Sequence, residues 1–371
     1  MSPSKVVVTG ADGFIGKNLT FRLRELKTWE VRPIEVGCAD SDLREALSDA
    51  DFVVHLAGVN RPQDPAEFMS GNRDTAVAVI AAIEAAGRRI PIVLTSSTQA
   101  EGDSPYGLSK KAAEETLLAF AERTANPVHI FRLTNVFGKW CRPNYNSAVA
   151  TFCHNVARGL PITVHDAAAP LALVYVDDVV AAIIEIMTTR PDGGGYSEVS
   201  PVYETSVGEV AGMIRRFHTD REKGLIDSVG VGLVRALYAT YVASLPPSEF
   251  SYPLTAHTDA RGSFSEILKT RNSGQFSYFT AHPGVTRGGH YHHTKTEKFL
   301  VVKGEALFRF RHIVTGDEHE VRTSEESPVV VETVPGWTHD ITNIGDDTLI
   351  SVLWANEIFD PERPDTIAEK V

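Results

Sequence analysis

The chain has 371 residues, with 36 Lys+Arg against 48 Asp+Glu (formal net charge −12), 43% hydrophobic and 23% charged residues. That length exceeds the size at which single cores usually stop growing, so two domains are expected. The composition excludes disordered and fibrous classes, and the acidic balance argues against nucleic acid or an anionic membrane as partner.

No run is apolar over the roughly 18 residues a membrane span needs. The first strand starts within a few residues of Met1, which leaves no room for a signal peptide. Cys38, Cys141 and Cys153 form neither a C-x-x-C pair nor a disulfide-dense pattern. Together these point to a cytoplasmic protein. In so acidic a chain, the positive charge that holds any diphosphate must be supplied locally.

In chain order, strands are expected at Lys5–Thr9, Trp29–Val36, Phe52–Ala57, Ile92–Ser97 and Val128–Leu133. Helical spacing lies between them at Lys17–Leu26, Asp42–Asp49, Asp74–Ala86 and Ser109–Arg123. Continuous Val/Ile/Leu strands separated by helices imply a doubly wound, Rossmann-like α/β parallel sheet. Only fifteen residues separate Val36 from Phe52, and no further strand can be placed there. Ser-Leu-Pro-Pro-Ser (244–248) and Tyr252-Pro253 read as a linker, dividing residues 1–245 from 246–371. Beyond it, short alternating strands at Gln275–Thr280, Glu297–Val302, Ala306–His312, Pro328–Glu332 and Thr348–Trp354 read as an antiparallel barrel or sandwich.

The first strand runs into glycines at 10, 13 and 16 and then a helix. Glycines there permit a tight turn and close approach of a pyrophosphate, whose charge the helix N-terminus favours. Gly10, Gly13, Phe14, Ile15 and Gly16 are therefore the candidate dinucleotide contacts. Glu35, near the end of the second strand, is placed to bond adenosine ribose hydroxyls, which favours NADH, whereas Arg32 argues for NADPH; a solvated surface glutamate fits equally.

Ser97 closes a strand, and Tyr106-x-x-x-Lys110 follows. With Ser104 as N-cap and Pro105 as first helical residue, Tyr106 and Lys110 lie one turn apart on one helix face. An adjacent ammonium is expected to move the phenol toward a useful acid/base range while Ser97 bonds the same carbonyl oxygen. Lys139-Trp-Cys-Arg142-Pro-Asn144-Tyr145-Asn146 collects two cations, two aromatic rings and two amides in one loop. That chemistry suits a diphosphate and a uracil or sugar ring, and a packed loop anchored by Trp140 fits as well.

In the second half, His290-x-His292-x4-Glu297 and His339 offer three imidazoles and a carboxylate. The set suits zinc or another divalent ion such as Mn, Fe or Ni. His293 is the alternative to His292, although strand alternation turns it to the opposite face.

These motifs carry a resemblance. Residues 1–240 resemble an extended short-chain dehydrogenase/reductase, through the glycine turn, Ser97/Tyr106/Lys110, Leu56-Ala57-Gly58, Arg132-Leu-Thr-Asn135-Val-Phe-Gly138 and Tyr175-Val-Asp-Asp-Val179. The resemblance implies a nucleotide-sugar substrate and places Leu56, Ala57 and Gly58 at the cofactor, in the turn after the family's fourth strand. It places Asn135 near the sugar nucleotide, with Asn72 a weaker match to a conformational asparagine. The C-terminal part resembles a cupin barrel, with Pro335-Gly336 lacking the residue the family inserts between Pro and Gly. Asp259-Ala-Arg-Gly-Ser-Phe264 and Gly284–His290 also resemble cupins that epimerise keto-sugar nucleotides without metal, in which His290 would be the base; the complete set with His292, Glu297 and His339 favours a ligand.

End to end, through Phe137–Ser147, Glu249–Leu254, Asp259–Phe264 and Trp354–Glu357, the chain is similar to the CapF/WbjC family of capsule and O-antigen enzymes. That resemblance implies epimerisation at carbon 3 of a UDP-4-keto-6-deoxy sugar by the cupin. It also implies reduction of carbon 4 with NADPH (NADH as the alternative), and a homodimer formed through the cupin. A reductase whose cupin only dimerises, or a non-enzymatic sensor, are the competing expectations; an intact Ser97/Tyr106/Lys110 set argues against the sensor.

Overall fold

The computed structural model describes residues 3–35 and 37–371. Val36, at the end of one expected strand, lies outside the described residues. The chain forms two compact units, Met1–Ile214 with Arg235–Pro246, and Arg215–Val234 with Pro247–Val371. The final crossing falls between Pro246 and Pro247, inside the expected linker. The expected boundary at 245/246 omits the excursion 215–234, which belongs with the second unit. Its short strand adds in parallel to a strand there, Leu225 opposite Lys269 and Ile226 opposite Thr270.

The first unit contains β1 (Ser4–Thr9), β2 (Trp29–Ile34), β3 (Phe52–His55), β4 (Ile92–Ser97), β5 (Val128–Leu133), β6 (Asn135–Phe137), β7 (Pro170–Tyr175), β8 (Gly195–Ser197) and β9 (Tyr203–Ser206). Its helices are α1 (Phe14–Leu26), α2 (Asp40–Leu47), a single turn α3 (Glu67–Met69), α4 (Thr75–Ala86), α5 (Pro105–Thr124), α6 (Ala148–Val156) and α7 (Val176–Thr189). Helices α8 (Val207–Glu222) and α9 (Gly232–Val242) carry the chain into and out of the 215–234 excursion.

A six-stranded sheet runs β2-β1-β3-β4-β5-β8, with every pairing parallel. Successive residues of β1 face opposite cores. Val7 packs with Leu47 of α2, Val79 of α4 and Leu117 of α5, whereas Val6 and Val8 pack with Leu19 of α1 and Ile183 of α7. The sheet is therefore covered on both faces, as its unbroken apolar strands require. No strand intervenes between β2 and β3, only α2, so Leu56-Ala57-Gly58 follows the third strand rather than the fourth. Strands β6, β7 and β9 form a separate small sheet.

The second unit contains β10 (Leu225–Ile226), β11 (Ala256–Asp259), β12 (Gly262–Thr270), β13 (Gly274–Ala281), β14 (Thr286–Tyr291), β15 (Glu297–Lys303), β16 (Glu305–His312), β17 (Glu318–Ser324), β18 (Val331–Glu332), β19 (Trp337–Asn343), β20 (Leu349–Ala355) and β21 (Ile367–Ala368). They form one sheet ordered β10-β12-β13-β20-β15-β18 with β11 on β12, and a second ordered β17-β16-β19-β14-β21. Phe279, Phe299 and Leu353 from the first sheet and Phe308, Phe310 and Ile341 from the second share one core. The expected barrel is thus a two-sheet arrangement around a common core, and neither sheet closes on itself. No helix among the described residues is long and apolar enough to cross a membrane.

Candidate functional sites

In the first unit the turn after β1 sits where β1 gives way to β2 on one side and β3 on the other, the usual crevice for a ligand in such sheets. Gly10 has φ +67° and lies so close to the next turn that a Cβ would stand 2.8 Å from the Ala57 amide nitrogen. A Cβ on Gly16 would stand 2.2 Å from the Gly10 carbonyl oxygen. These two glycines are demanded by the protein's own packing. Gly13 caps α1 without a side-chain bond, which leaves the helix N-terminus open to a ligand. The Asp12 amide donates to Glu35 Oε1 at 2.8 Å, so Glu35 braces the glycine turn. Burial holds Glu35 above the ordinary carboxylate range. Arg32 is committed to Asp49, Glu30 and the Ala46 carbonyl.

The α5 cap forms as its sequence implies. Ser104 Oγ accepts from the Gly107 amide at 3.0 Å and Pro105 is the first helical residue. Tyr106 and Lys110 consequently lie one turn apart beside the end of β4. Burial raises the Tyr106 phenol above its ordinary range, against the opposing hydrogen bond to Ser97. This corrects the expectation of a phenol made acidic by Lys110. The Lys110 ammonium instead donates to the Thr95 carbonyl at 2.8 Å, and burial pulls it down to about 8, with Glu114 opposing. His55, also enclosed, is pulled down to about 3 by burial and by Lys110, and its Nδ1 lies 2.7 Å from Thr9 Oγ1.

Asn72, on a π-helical turn spanning Ser70–Asp74, donates to the Val59 and Phe68 carbonyls and to Ser109 Oγ, and accepts from the Val59 amide. It fastens the loop after β3 to α5. Glu114, one turn beyond Lys110, accepts from Ser96, Arg132 and Tyr196, tying α5 to β4, β5 and β8.

One cavity of about 530 Å³ joins these groups, a size suited to a cofactor and its substrate. It is lined by Gly10, Gly13, Phe14, Ile15 and Gly16, by Leu56 and Gly58, by Ser97, Tyr106 and Lys110, and by Asn135, Arg142, Tyr145 and Asn146. The Arg142 guanidinium lies 5.1 Å from the Tyr145 ring centre.

In the second unit, one donor atom from each of His290, His292, Glu297 and His339 falls within 4.8 Å of every other. His290 on β14 is paired across the ladder with His339 on β19. Glu297 Oε2 lies 3.3 Å from His292 Nε2 and 3.6 Å from His339 Nε2, and its Oε1 is held by Lys295 Nζ at 2.9 Å. Two ligands each about 2.0–2.1 Å from a common tetrahedral centre lie about 3.3–3.4 Å apart, so these separations fit a bound zinc ion. His339 Nε2 is buried without a hydrogen-bond partner, the orphan that a cation would satisfy. Burial pulls His290 down to about 4. Glu297 sits well below the carboxylate range, since His292, His339 and Lys295 outweigh its burial. Both shifts favour the deprotonated donors that a metal requires.

Residues 6–199 match the NAD dependent epimerase/dehydratase family, and residues 257–367 the polysaccharide biosynthesis C-terminal domain. The chain is 54% identical over 364 residues, 98% of either chain, to a UDP-2-acetamido-2,6-beta-L-arabino-hexul-4-ose reductase of Pseudomonas aeruginosa. Its structure matches the capsular polysaccharide assembling protein CapF of Staphylococcus aureus over 100% of both chains, at 41% identity and a TM-score of 0.92. It also matches a CapF structure holding the inhibitor 3-isopropenyl-tropolone, at 37% identity and a TM-score of 0.87, over 99% of this chain and 100% of that one. The chain belongs to the CapF-like family.

Within this CapF-like chain some expected site residues stand apart from the cavity. Lys139 turns to Asp177, 2.5 Å away, and lines a separate hollow between α1 and α7. The Asn144 amide donates to Thr151 Oγ1, and Asn144 takes φ +54°, so it shapes the loop without lining the cavity. Glu35 and Ala57 likewise stand behind the lining. The structure adds Lys17, Asn60, Gln99, Thr134 and Cys141 to the cavity wall. Only Lys17 could have been suspected, as a cation one residue beyond the last glycine. Of the paired histidines, His292 joins the cluster, and His293 is exposed, its ring against Tyr291. The shortened Pro335-Gly336 turn is accommodated by φ +81° at Gly336, whose amide donates to the His292 carbonyl. Sequence reasoning missed Lys295 and Asp365. Asp365 contacts the metal-site loop from about 70 residues away, a separation that leaves no local signal.

Proposed function

We propose that the chain is a bifunctional nucleotide-sugar enzyme acting in capsule or O-antigen synthesis. Its second unit, which we read as a cupin, inverts carbon 3 of UDP-2-acetamido-2,6-dideoxy-4-hexulose. The first unit reduces the 4-keto group with NADPH, giving UDP-2-acetamido-2,6-dideoxy-L-talose on the route to UDP-N-acetyl-L-fucosamine. The observation that carries the reading is the Ser97–Tyr106 hydroxyl pair, with Lys110 one turn on, in a cavity large enough for cofactor and sugar nucleotide. The full-length similarity to a named UDP-hexulose reductase supports the substrate class.

A bound nicotinamide dinucleotide supplies hydride to carbon 4. The protein's part is to hold the ketone oxygen between the Ser97 and Tyr106 hydroxyls and to give it the Tyr106 proton. A phenol raised by burial stays protonated at neutral pH, and the Lys110 ammonium one helical turn away favours the phenolate left when the proton is given up. Asn135, Arg142, Tyr145 and Asn146 hold the sugar nucleotide, the Arg142 charge and Tyr145 face suiting a diphosphate and a uracil ring. NADH is the alternative reductant, which a carboxylate at Glu35 near the ribose would favour.

A 4-keto group acidifies the proton on carbon 3, so removal and return of that proton on opposite faces inverts the centre. His290, His292, Glu297 and His339 hold a divalent ion, zinc in our reading, whose chemistry is polarisation of a carbonyl oxygen. Tropolones carry adjacent ketone and hydroxyl oxygens, a chelating pair, and one inhibits a CapF. That supports a metal in the family's working form.

The partner is a second copy of the chain, meeting through the second unit. The outer face of its larger sheet exposes Phe276, Leu300, Val302 and Val330. We assign the work to the cytoplasm; Cys38, Cys141 and Cys153 are all free thiols. The same apolar face favours a second reading, in which the second unit serves only dimerisation.

One variant separates the two. Tyr106→Phe in the full chain should bind NADPH but oxidise it about 10²–10⁴-fold more slowly. In heavy water, mass spectrometry should still find deuterium at carbon 3 of the 4-keto substrate. Undiminished NADPH oxidation overturns the role of Tyr106, and absence of deuterium eliminates epimerisation in favour of the reductase-only reading.

A further inference from the structure

The last residues of the second unit lie against β14 and β19, which carry His290 and His339, and against the loop that follows His292. β21 pairs with β14, Ala368 opposite His290 and Ile367 opposite Tyr291. The Glu369 amide donates to the Gly289 carbonyl at 3.0 Å, and Thr338, next to His339 on β19, donates its hydroxyl to the Glu369 carbonyl. Arg311 of β16 donates to the Glu369 carboxylate at 2.9 Å.

The tightest attachment is at Asp365. Its Oδ1 accepts from the His293 amide at 2.9 Å, and its Oδ2 accepts from the Thr294 and Lys295 amides, each at 2.8 Å, and from the Thr294 hydroxyl at 3.1 Å. One carboxylate thus gathers three successive amides of the loop that joins His292 to Glu297. The same residue's carbonyl accepts from His292 Nδ1–H. That bond fixes the tautomer: with the proton on Nδ1, the Nε2 lone pair faces Glu297 and is free to bind a cation.

We infer that residues 365–369 form a strap that positions the metal site, with Asp365 orienting His292 and pinning the loop between His292 and Glu297, so that metal affinity and docking of this terminal segment depend on each other. The inference rests on the metal reading above and concerns residues that bind no metal themselves. The strap reaches β14 by ladder pairing, β19 through the Thr338 hydroxyl, and the loop that leads from His292 to Glu297 through Asp365. Without it, His292 would keep its place in the sequence but lose its ring orientation, and the loop would have three amides to satisfy elsewhere.

The test is zinc binding to the full chain, measured by competition with a chromogenic chelator. Asp365→Ala keeps the backbone carbonyl that accepts from His292 but releases the three loop amides. Through the loosened loop it should weaken zinc by about 10-fold or more, within the range usual for outer partners of a metal site. Near-ultraviolet circular dichroism of the zinc-free protein should be unchanged. Wild-type affinity in Asp365→Ala overturns the strap's role while leaving the metal reading intact. A wild-type chain that takes up no zinc overturns the metal reading and the strap with it.

Should Asp365→Ala fail to fold, the wild-type chain gives a second measurement. Zinc should slow hydrogen exchange at the His293, Thr294, Lys295 and Glu369 amides together. Slowing at the loop amides with none at Glu369 would uncouple the terminal segment from the metal and defeat the inference.

Discussion

The Lys110 ammonium is buried at the cavity wall, and its proton is held by a balance between burial, which expels it, and Glu114, which retains it. His55 adds no opposing charge, because its own burial keeps it neutral. In the proposed reduction a protonated Lys110 stabilises the phenolate that Tyr106 leaves behind, so kcat/KM for reduction should fall above about pH 8. Glu114→Gln removes the retaining charge and should move that basic limb to lower pH; an unmoved limb would detach Glu114 from the chemistry. Stability follows with the opposite sense. Between about pH 8 and the unfolded value near 10.5 the unfolded chain binds more protons, so this group's contribution rises with pH through that window. At this scale the sequence was informative about identity and silent about environment. The Tyr106–Lys110 spacing named the pair, but the direction of the Tyr106 shift came from burial, which spacing does not encode.

At the scale of elements, the junction of β1 and α1 was the most legible part of the chain. Gly10 and Gly16 there answer a steric demand that the pattern announces. Gly16→Ala would drive a methyl group into the Gly10 and Ala11 carbonyl oxygens, 2.2 and 2.7 Å away, and backbone cannot yield as a flexible side chain can. We expect a loss of about 1–3 kcal/mol, read as a lower thermal midpoint, with weaker dinucleotide binding. The limits of β4 and β5 and the cap of α5 were equally plain, since unbroken apolar runs and Ser-Pro caps are local signals. The small sheet of β6, β7 and β9 was not legible. Its strands are short, β6 with three residues and β9 with four, and pairing alone defines them. The π-helical turn around Asn72 was invisible for a similar reason, because it exists to aim one side chain at Val59 and Ser109.

For the whole molecule, the larger sheet of the second unit is apolar on both faces. Along β15, Phe299 and Val301 enter the core while Leu300 and Val302 face outward, with Phe276 of β13 and Val352 and Trp354 of β20 lining a hollow of about 490 Å³ beside Leu300. A contiguous exposed apolar face of this kind marks an interface. For the proposed dimer, Leu300→Asp should shift the wild-type sedimentation from dimer to monomer without unfolding the chain; a wild-type monomer, or a dimer that persists in the variant, would overturn this interface.

By itself the sequence pointed to a two-part architecture, the glycine turn, the Tyr106–Lys110 spacing and the group of His290, His292, Glu297 and His339 that the fold brings together. Each rests on residue type at fixed spacing, where a few bonds of chain set the geometry. Only the tertiary structure decided that Lys139 faces Asp177 rather than the cavity, that residues 215–234 belong with the second unit, and that Asp365 holds the loop between His292 and Glu297. Those outcomes depend on pairings between distant segments, and the free energy that selects them comes from burial and hydrogen bonding formed only once the chain has folded.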